Sequence, residues 1–380
     1  MIYLDNAATT QTDPQVLEAM LPYFVEYYGN PAAIYSLAGE SGKAVAKART
    51  QAADLIHAKR EEIYFTGGGS ESDNWAIKAV ADAYEKEGCH IITTRIEHHA
   101  VLHTCEYLQK KGCEVSYVGV DAQGYVSPEA IKKAIRPNTR LISVMAANNE
   151  IGTIQPLQEI GKIAKEHQIL FHTDAVQAFG HIPLDVEELQ VDMLSASGHK
   201  LHGPKGVGIL YLRRNVRLGA FIHGGAQERH RRAGTHNVPA IVGMGKAAEL
   251  AKERMEESMQ KESMLRDYLI EKILAEVPGT VLTGGREKRL PNNASFCFER
   301  IEGESLLILL NQKGICASGG SACSTGAVDP SHVLEAIGVD KELAKGALRL
   351  TVSSHTTKEE LDETVEVIRQ NVERLRDMRI

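Results

Sequence analysis

The sequence predicts an α/β fold, with a large domain on a mainly parallel central sheet and a smaller α+β domain. Three observations lead there. Short apolar, β-rich runs alternate with helical stretches over the first half of the chain, the signature of βαβ units. One long, charged amphipathic stretch follows, and beyond it the texture changes to a few strands and two helices. Finally, 380 residues exceed what one hydrophobic core comfortably organises, so two domains are the natural division.

In chain order, Pro14 to Tyr28 has helical spacing and stops at the turn signal Gly29-Asn30-Pro31, and Ser41 to His57 reads as a second helix. The apolar runs begin at Ile63, Ile91, Val115, Leu141, Leu170, Met193 and Gly208, and each is short enough to be a buried strand. Ligands of such sheets sit at the carboxyl ends of the strands. Pro239 to about Val277 is the long helix, a bridge between domains. After it, Val281-Leu, Ala294 to Phe298 and Leu348 to Val352 read as strands, with helices from Gly303 to Lys313 and Lys358 to Met378.

Composition narrows the function. A formal net charge of −7 argues against a nucleic-acid or membrane-surface binder. No stretch offers the ~20 uninterrupted apolar residues of a membrane span, and the start, with Asp5 before any apolar run, does not read as a signal peptide. A cytoplasmic protein with small-molecule and protein partners is expected. The 6 cysteines form no C-x-x-C pair, so no resident metal is expected. Most read as buried thiols, but Cys323 lies in the glycine- and serine-rich run ASGGSACSTGA.

Three stretches carry chemistry. Thr66-Gly-Gly-Gly-Ser follows a strand and precedes a helix, which suits either a phosphate cup or a tight turn capped by Ser70 or Ser72. Asp174 ends an apolar strand, with Gln177 on the next turn; a carboxylate there needs a cation or a helix start. The cation that fits best is the protonated ring nitrogen of pyridoxal phosphate (PLP). In SGHKLHGPKG, Lys200 sits at a strand exit, where a cofactor-bearing lysine must be, whereas Lys205 reads as a solvated turn lysine.

These and further segments occur in the order YLDNAATT, GNPAAIYS, FTGGGSESDN, EHHAVL, NNEIGT, HTDAVQ, SGHKLHGPKG, RRAGTHNVPAIVG and GGSACSTG. Together they resemble the NifS/IscS-like cysteine desulfurases, within the class V aminotransferase superfamily and the fold-type-I PLP enzymes. The resemblance implies a large PLP-binding domain over 14–257 and a small domain made of 1–13 and 258–380. It also implies that Lys200 carries the cofactor, that Gly69, Ser70, Ser197 and His199 hold its phosphate, and that Thr235 reaches the phosphate of the neighbouring subunit of a homodimer. Asp174 would face the ring nitrogen, Gln177 the phenolate oxygen, and His98 the ring face, with a part in proton transfer; His99 competes for that place. Asn149 and Arg349 would hold the substrate, and Cys323 would be the nucleophile.

The implied activity converts L-cysteine to L-alanine, leaving a persulfide on Cys323 for a sulfur acceptor such as an iron–sulfur scaffold or a thio-cofactor or tRNA-modifying protein. Cys323 would also serve as a transient iron–sulfur ligand. Selenocysteine lyase or another class V PLP activity is the alternative enzyme reading, and an idle sulfur-trafficking scaffold the non-enzymatic one. The chain departs from the family pattern at Gly67, Gly319, Ala32-Ala33, Ala226, His230 and Ser353-Ser354. The composition of the Cys323 segment suggests a rearranging loop with the thiol partly exposed and away from Lys200.

Overall fold

The computed structural model describes residues 1–319 and 331–378. Its centre is a seven-stranded sheet. The chain first forms the two-residue strand β1 (Ile2–Tyr3), then enters the large sheet with β2 (Ile63–Thr66), β3 (His90–Thr94), β4 (Glu114–Val118) and β5 (Thr139–Ser143). It continues with β6 (Leu170–Asp174), β7 (Met193–Ser197) and β8 (Gly208–Leu212), in the spatial order β2-β8-β7-β6-β5-β3-β4. The β7, β6, β5, β3 and β4 pairings are parallel, while β8 runs antiparallel to both β7 and β2. β2, β3 and β5 to β8 have almost every residue buried, as expected of strands covered by helices on both faces.

The remaining strands lie elsewhere. β9 (Thr280–Leu282), β10 (Asn293–Phe298) and β12 (Ala347–Thr351) make a three-stranded antiparallel sheet, and β11 (Ile315–Cys316) pairs in parallel with β1. The Gly303–Gln312 and Lys358–Asp377 helices pack with that sheet around Phe296, Phe298, Leu348 and Leu350. One helix, Val238–Glu276, serves both cores. Its first part, up to Leu250, belongs to the core of the seven-stranded sheet, and Leu265 to Ile273 belong to the core of the smaller one. Where it crosses the Ser36–Asp54 helix, Gly245 leaves room that a Cβ would fill, 2.5 Å from Ala48 Cα.

Two helix expectations shift. Pro14 to Tyr28 is not one helix but two, Pro14–Met20 and Pro22–Val25, because Pro22 has no N–H to continue the first. The second helix starts at Ser36 instead of Ser41 and ends at Asp54. No described helix is long and apolar enough to cross a membrane.

The N-terminal segment ties the two sheets together. Leu4 N–H donates to Cys316, Asn6 Nδ2 to the Thr351 carbonyl at 2.7 Å, then Thr10 N–H to His199 and Asp13 N–H to His202. Residues 5–10 thus pass from β12 to the loop that carries Lys200.

Candidate active site

The carboxyl ends of β6 and β7 and the start of the Gly69–Ala83 helix surround a cavity of about 280 Å³. Its lining includes Gly69, Ser70, His98, Asn149, Asp174, Gln177, Ser197, His199, Lys200 and Arg349. Thus the structure brings together ten of the residues singled out in the sequence. Two are not among them: Thr235 is exposed and lines no part of this cavity, and Cys323 lies outside the described residues.

At one end, the chain turns from β2 into the Gly69–Ala83 helix. The helix is capped by Gly68, with no side-chain cap, so neither Ser70 nor Ser72 plays that role. Gly68 has φ 152, which favours glycine. Ser72 is instead buried, its hydroxyl donating to the Ile209 carbonyl at 2.9 Å. The first-turn N–H groups of Gly69 and Ser70 have no carbonyl of their own helix to bind and carry the positive end of its dipole. Gly69 lies under Val176, whose Cγ2 a Cβ would approach to 2.5 Å. Ser197 ends β7, and His199 Nδ1 sits 3.1 Å from Thr9 Oγ1. Burial, then Lys200 and Lys205, push the His199 imidazole down to about 4, so it is neutral at pH 7. These four residues also border a second, more open cleft that holds exposed Lys205 at its rim.

Lys200 is half-buried, and its Nζ donates to the carbonyls of Ala7 at 2.5 Å and Ala8 at 2.8 Å. His181 Nε2 donates to the Lys200 carbonyl at 2.9 Å, fixing the backbone from behind. At the other end of the cavity, Asp174 is buried with Val176 N–H on its Oδ1. Burial raises its pKa, against the pull of His98 and Lys200. Gln177 Nε2 donates to the Ala7 carbonyl at 2.9 Å.

His98 caps the His99–Lys110 helix, its Nδ1 accepting from Ala100 N–H at 3.1 Å, which leaves the proton of the neutral ring on Nε2. Burial lowers its pKa. His99 lines the cavity too, stacked on His103 with centroids 4.9 Å apart. The capping role and the cavity position are therefore both true of His98.

Arg349 is buried on β12, its Nη2 paired with Asp5 at 2.8 Å and its Nη1 donating to the Asn149 carbonyl at 2.8 Å. The chain around the site is braced from outside by Glu71, which accepts from Gly67 N–H and pairs with Arg232 Nε at 2.8 Å.

Several contributors escaped the sequence reading. The Ala7 and Ala8 carbonyls belong to backbone, which has no residue signature. Asp73 and His332 also line the cavity; Asp73 stood in the glycine-rich motif, and its position on the buried side of a helix start was the available signal. Of the described cysteines, burial pushes Cys105 and Cys297 up to about 12, far from thiolates at neutral pH. No group of three His, Cys, Asp or Glu side chains able to hold a metal occurs among the described residues.

The donor set fits PLP. First-turn N–H groups with Ser197 and a neutral His199 suit a phosphate, a buried carboxylate suits a protonated ring nitrogen, and an anchored amine stands beside both. Aminotransferase class-V is the family whose pattern matches residues 2–364. The protein named cysteine desulfurase IscS from Methanosarcina thermophila is 56% identical over 377 residues, 99% of this chain and 93% of that one. Its namesake from Clostridium botulinum (strain Hall) is 52% identical over 379 residues, covering 99% and 96%. Among solved structures, a NifS-like protein is 42% identical with a TM-score of 0.92, covering 98% of this chain and 99% of that one. SspA, solved in complex with cysteine, is 38% identical with a TM-score of 0.84 over 94% and 100%. A cavity built from ten of the expected residues and this full-length likeness lead to one conclusion: the chain belongs to the PLP-dependent class V aminotransferase family, in its branch of NifS- and IscS-like cysteine desulfurases.

Proposed function

We propose that this chain converts L-cysteine to L-alanine with PLP and takes the sulfur as a persulfide on Cys323. The observation that carries the reading is that Lys200, Asp174, Gln177, His98, Ser197 and Gly69 line one cavity. When bound, PLP draws electrons from the substrate Cα and lowers the cost of removing its proton. Gly69, Ser70, Ser197 and His199 would hold the phosphate, and Asp174 would keep the ring nitrogen charged. Gln177, anchored on Ala7, would offer its second N–H to the phenolate oxygen, and His98, with its proton on Nε2, would cover the ring.

Lys200 takes the Cα proton, positioned by the Ala7 and Ala8 carbonyls. Arg349, aimed by Asp5, and Asn149 hold the substrate carboxylate. Cys323 acts as thiolate on the substrate sulfur: a new S–S bond forms, the S–Cβ bond breaks, and its electron pair stays with carbon, which is protonated on the way to alanine.

We further read the protein as a cytoplasmic homodimer, with 14–257 as its large domain and 1–13 with 258–380 as its small one. Thr235 of one subunit would complete the phosphate site of the other through the open cleft beside Lys205. The exposed apolar side chains of Leu17, Leu21, Phe24, Val25, Tyr28, Ile34 and Tyr35 support such a partner. An iron–sulfur scaffold protein is the sulfur acceptor this reading puts first.

Borohydride reduction tests the cofactor assignment. It should fix PLP on Lys200, Lys200→Ala should lose the trapped adduct, and Lys205→Ala should keep it; an adduct on Lys205 would overturn the assignment.

A further inference from the structure

Beneath Asp174 lies a row of buried polar side chains that the proposed reaction leaves unused. His172, on β6, is fully buried, its ring held between Ser143 Oγ at 2.9 Å and Ser195 Oγ at 3.0 Å. Asp73 closes the row from the helix that packs on β6 and β7: its carboxyl lies beside Ser195 and 3.6 Å from His172 Nε2. Asp73 is itself buried and borders the cofactor cavity, and among the described residues its Oδ1 has no hydrogen-bond partner.

Three carboxyl groups crowd this floor, and they are not equivalent. Asp174 has His98 and Lys200 as basic neighbours. Glu97 accepts from the Thr94 hydroxyl at 2.6 Å and Met145 N–H at 3.0 Å on one oxygen, and its other oxygen has no partner among the described residues. Asp73 has the Ser195 hydroxyl beside it as the one group that can support a charge. Its one basic neighbour, His172, is pushed by burial down to about 3 and so cannot act as a counter-ion at neutral pH. An ionised Asp73 would be a buried charge with no cation to pair with it, beside the Asp174 carboxylate, an arrangement that favours the protonated acid. Burial, followed by the charge of Asp174, accordingly raises the Asp73 carboxyl well above its ordinary value.

We propose that Asp73 is a positioning residue that remains a neutral acid and donates its proton toward Ser195, thereby fixing His172 in its Nδ1–H tautomer and leaving Asp174 as the anion that faces the cofactor. The row allows two proton arrangements. With Asp73 protonated, Ser195 donates to His172 Nε2, and His172 donates from Nδ1 to Ser143. With Asp73 ionised, every donor in the row reverses and the histidine proton moves to Nε2. The tautomer of His172 therefore reports the state of Asp73. The benefit to the cofactor rests on the PLP reading above, whereas the proton arrangement is a property of the chain alone.

The test is an infrared difference spectrum of cofactor-free wild type against Asp73→Asn at neutral pH. The carbonyl band of a protonated carboxyl should disappear in the variant; loss of a carboxylate band instead would overturn the proposal. With PLP bound, Asp73→Asn should move the pH midpoint of the cofactor's absorbance change by less than about 0.3 unit, since no charge is removed. A fall of about one unit or more would mean that an anion had been lost. If the variant does not fold, nitrogen NMR of histidine-labelled wild type decides: the proton on Nδ1 of His172 supports the arrangement, and a proton on Nε2 refutes it. Because the infrared and NMR measurements need no cofactor, failure of the PLP reading would not be mistaken for failure of this one.

Discussion

Asp174 and Asp73 show how much a single residue's chemistry depends on its neighbours. Both are buried, but only Asp174 faces basic groups at the cavity, and only Asp174 stood out in the sequence, because it ends an apolar strand before Ala-Val-Gln. Asp73 is four residues into a helix, and its setting exists only once that helix packs on β6 and β7. Lys200 was equally legible, whereas the carbonyls that hold its amine come from Ala7 and Ala8, 193 and 192 residues away. Replacing Asp174 by Asn removes the anion opposite the ring nitrogen. Asp174→Asn should therefore lower the pH midpoint of the bound cofactor's absorbance change by about 1–3 units and cut turnover by about 100-fold or more. Spectral titration and steady-state alanine formation check the two effects.

At the scale of elements, the strands of the large sheet other than the edge strand β4 were readable because burial on both faces makes each a short apolar run. β1 and β11 were not, since two residues carry no pattern and each strand exists only by pairing with the other. The loop that bears the phosphate donors is shaped by close packing. A Cβ on Gly208 would lie 2.6 Å from the Ala196 carbonyl and 2.7 Å from Gly68 Cα, so Gly208→Ala must displace that loop. It should destabilise by about 1–3 kcal/mol and speed PLP loss, measured by thermal melting and by dialysis of the holoenzyme.

A buried carboxylate anchors the segment that leads to Thr235. Glu228 accepts two hydrogen bonds from Arg49 at 2.7 Å, one from His236 at 2.7 Å and one from Phe65 N–H at 3.0 Å. Burial alone would raise its pKa, but Arg49 and His236 hold it at about 2. Because the folded value is depressed, this contribution is fully present above the unfolded carboxyl value near ~4.3 and is lost as pH falls toward about 2. Glu228→Gln, which strands the Arg49 charge, should cost about 3–5 kcal/mol at pH 7, with the gap to wild type narrowing below pH ~4 in denaturant titrations. Glu228 and the two residues after it, Arg229 and His230, have φ of 43, 56 and 64, a left-handed run without a glycine. His230→Gly should relieve part of that strain, leaving stability unchanged or higher by up to about 1 kcal/mol.

At the scale of the whole molecule, the long helix between the two cores was visible as a charged amphipathic stretch, and the structure places its ends within one residue of the expected ones. The N-terminal strap was invisible, because its contacts join Asn6 to Thr351 and Thr10 to His199, 345 and 189 residues apart. Cys323, which carries the reading of function, lies outside the described residues, and so its expected exposure stands as a prediction. If the exposed apolar surface around Phe24 and Tyr28 meets a second copy, the native protein should sediment as a dimer, and Thr235→Ala should weaken PLP retention without lowering the melting temperature of the cofactor-free protein. A monomer that holds PLP fully would contradict this.

The proposed reaction breaks the C–S bond of cysteine and keeps the sulfur on Cys323. Incubating wild type and Cys323→Ser with PLP and L-cysteine, and measuring alanine and protein-bound sulfur together, tests it. Wild type should yield both, and the variant should bind PLP and cysteine normally while losing both products. Undiminished alanine from Cys323→Ser, or sulfur bound to another residue, would rule this reaction out.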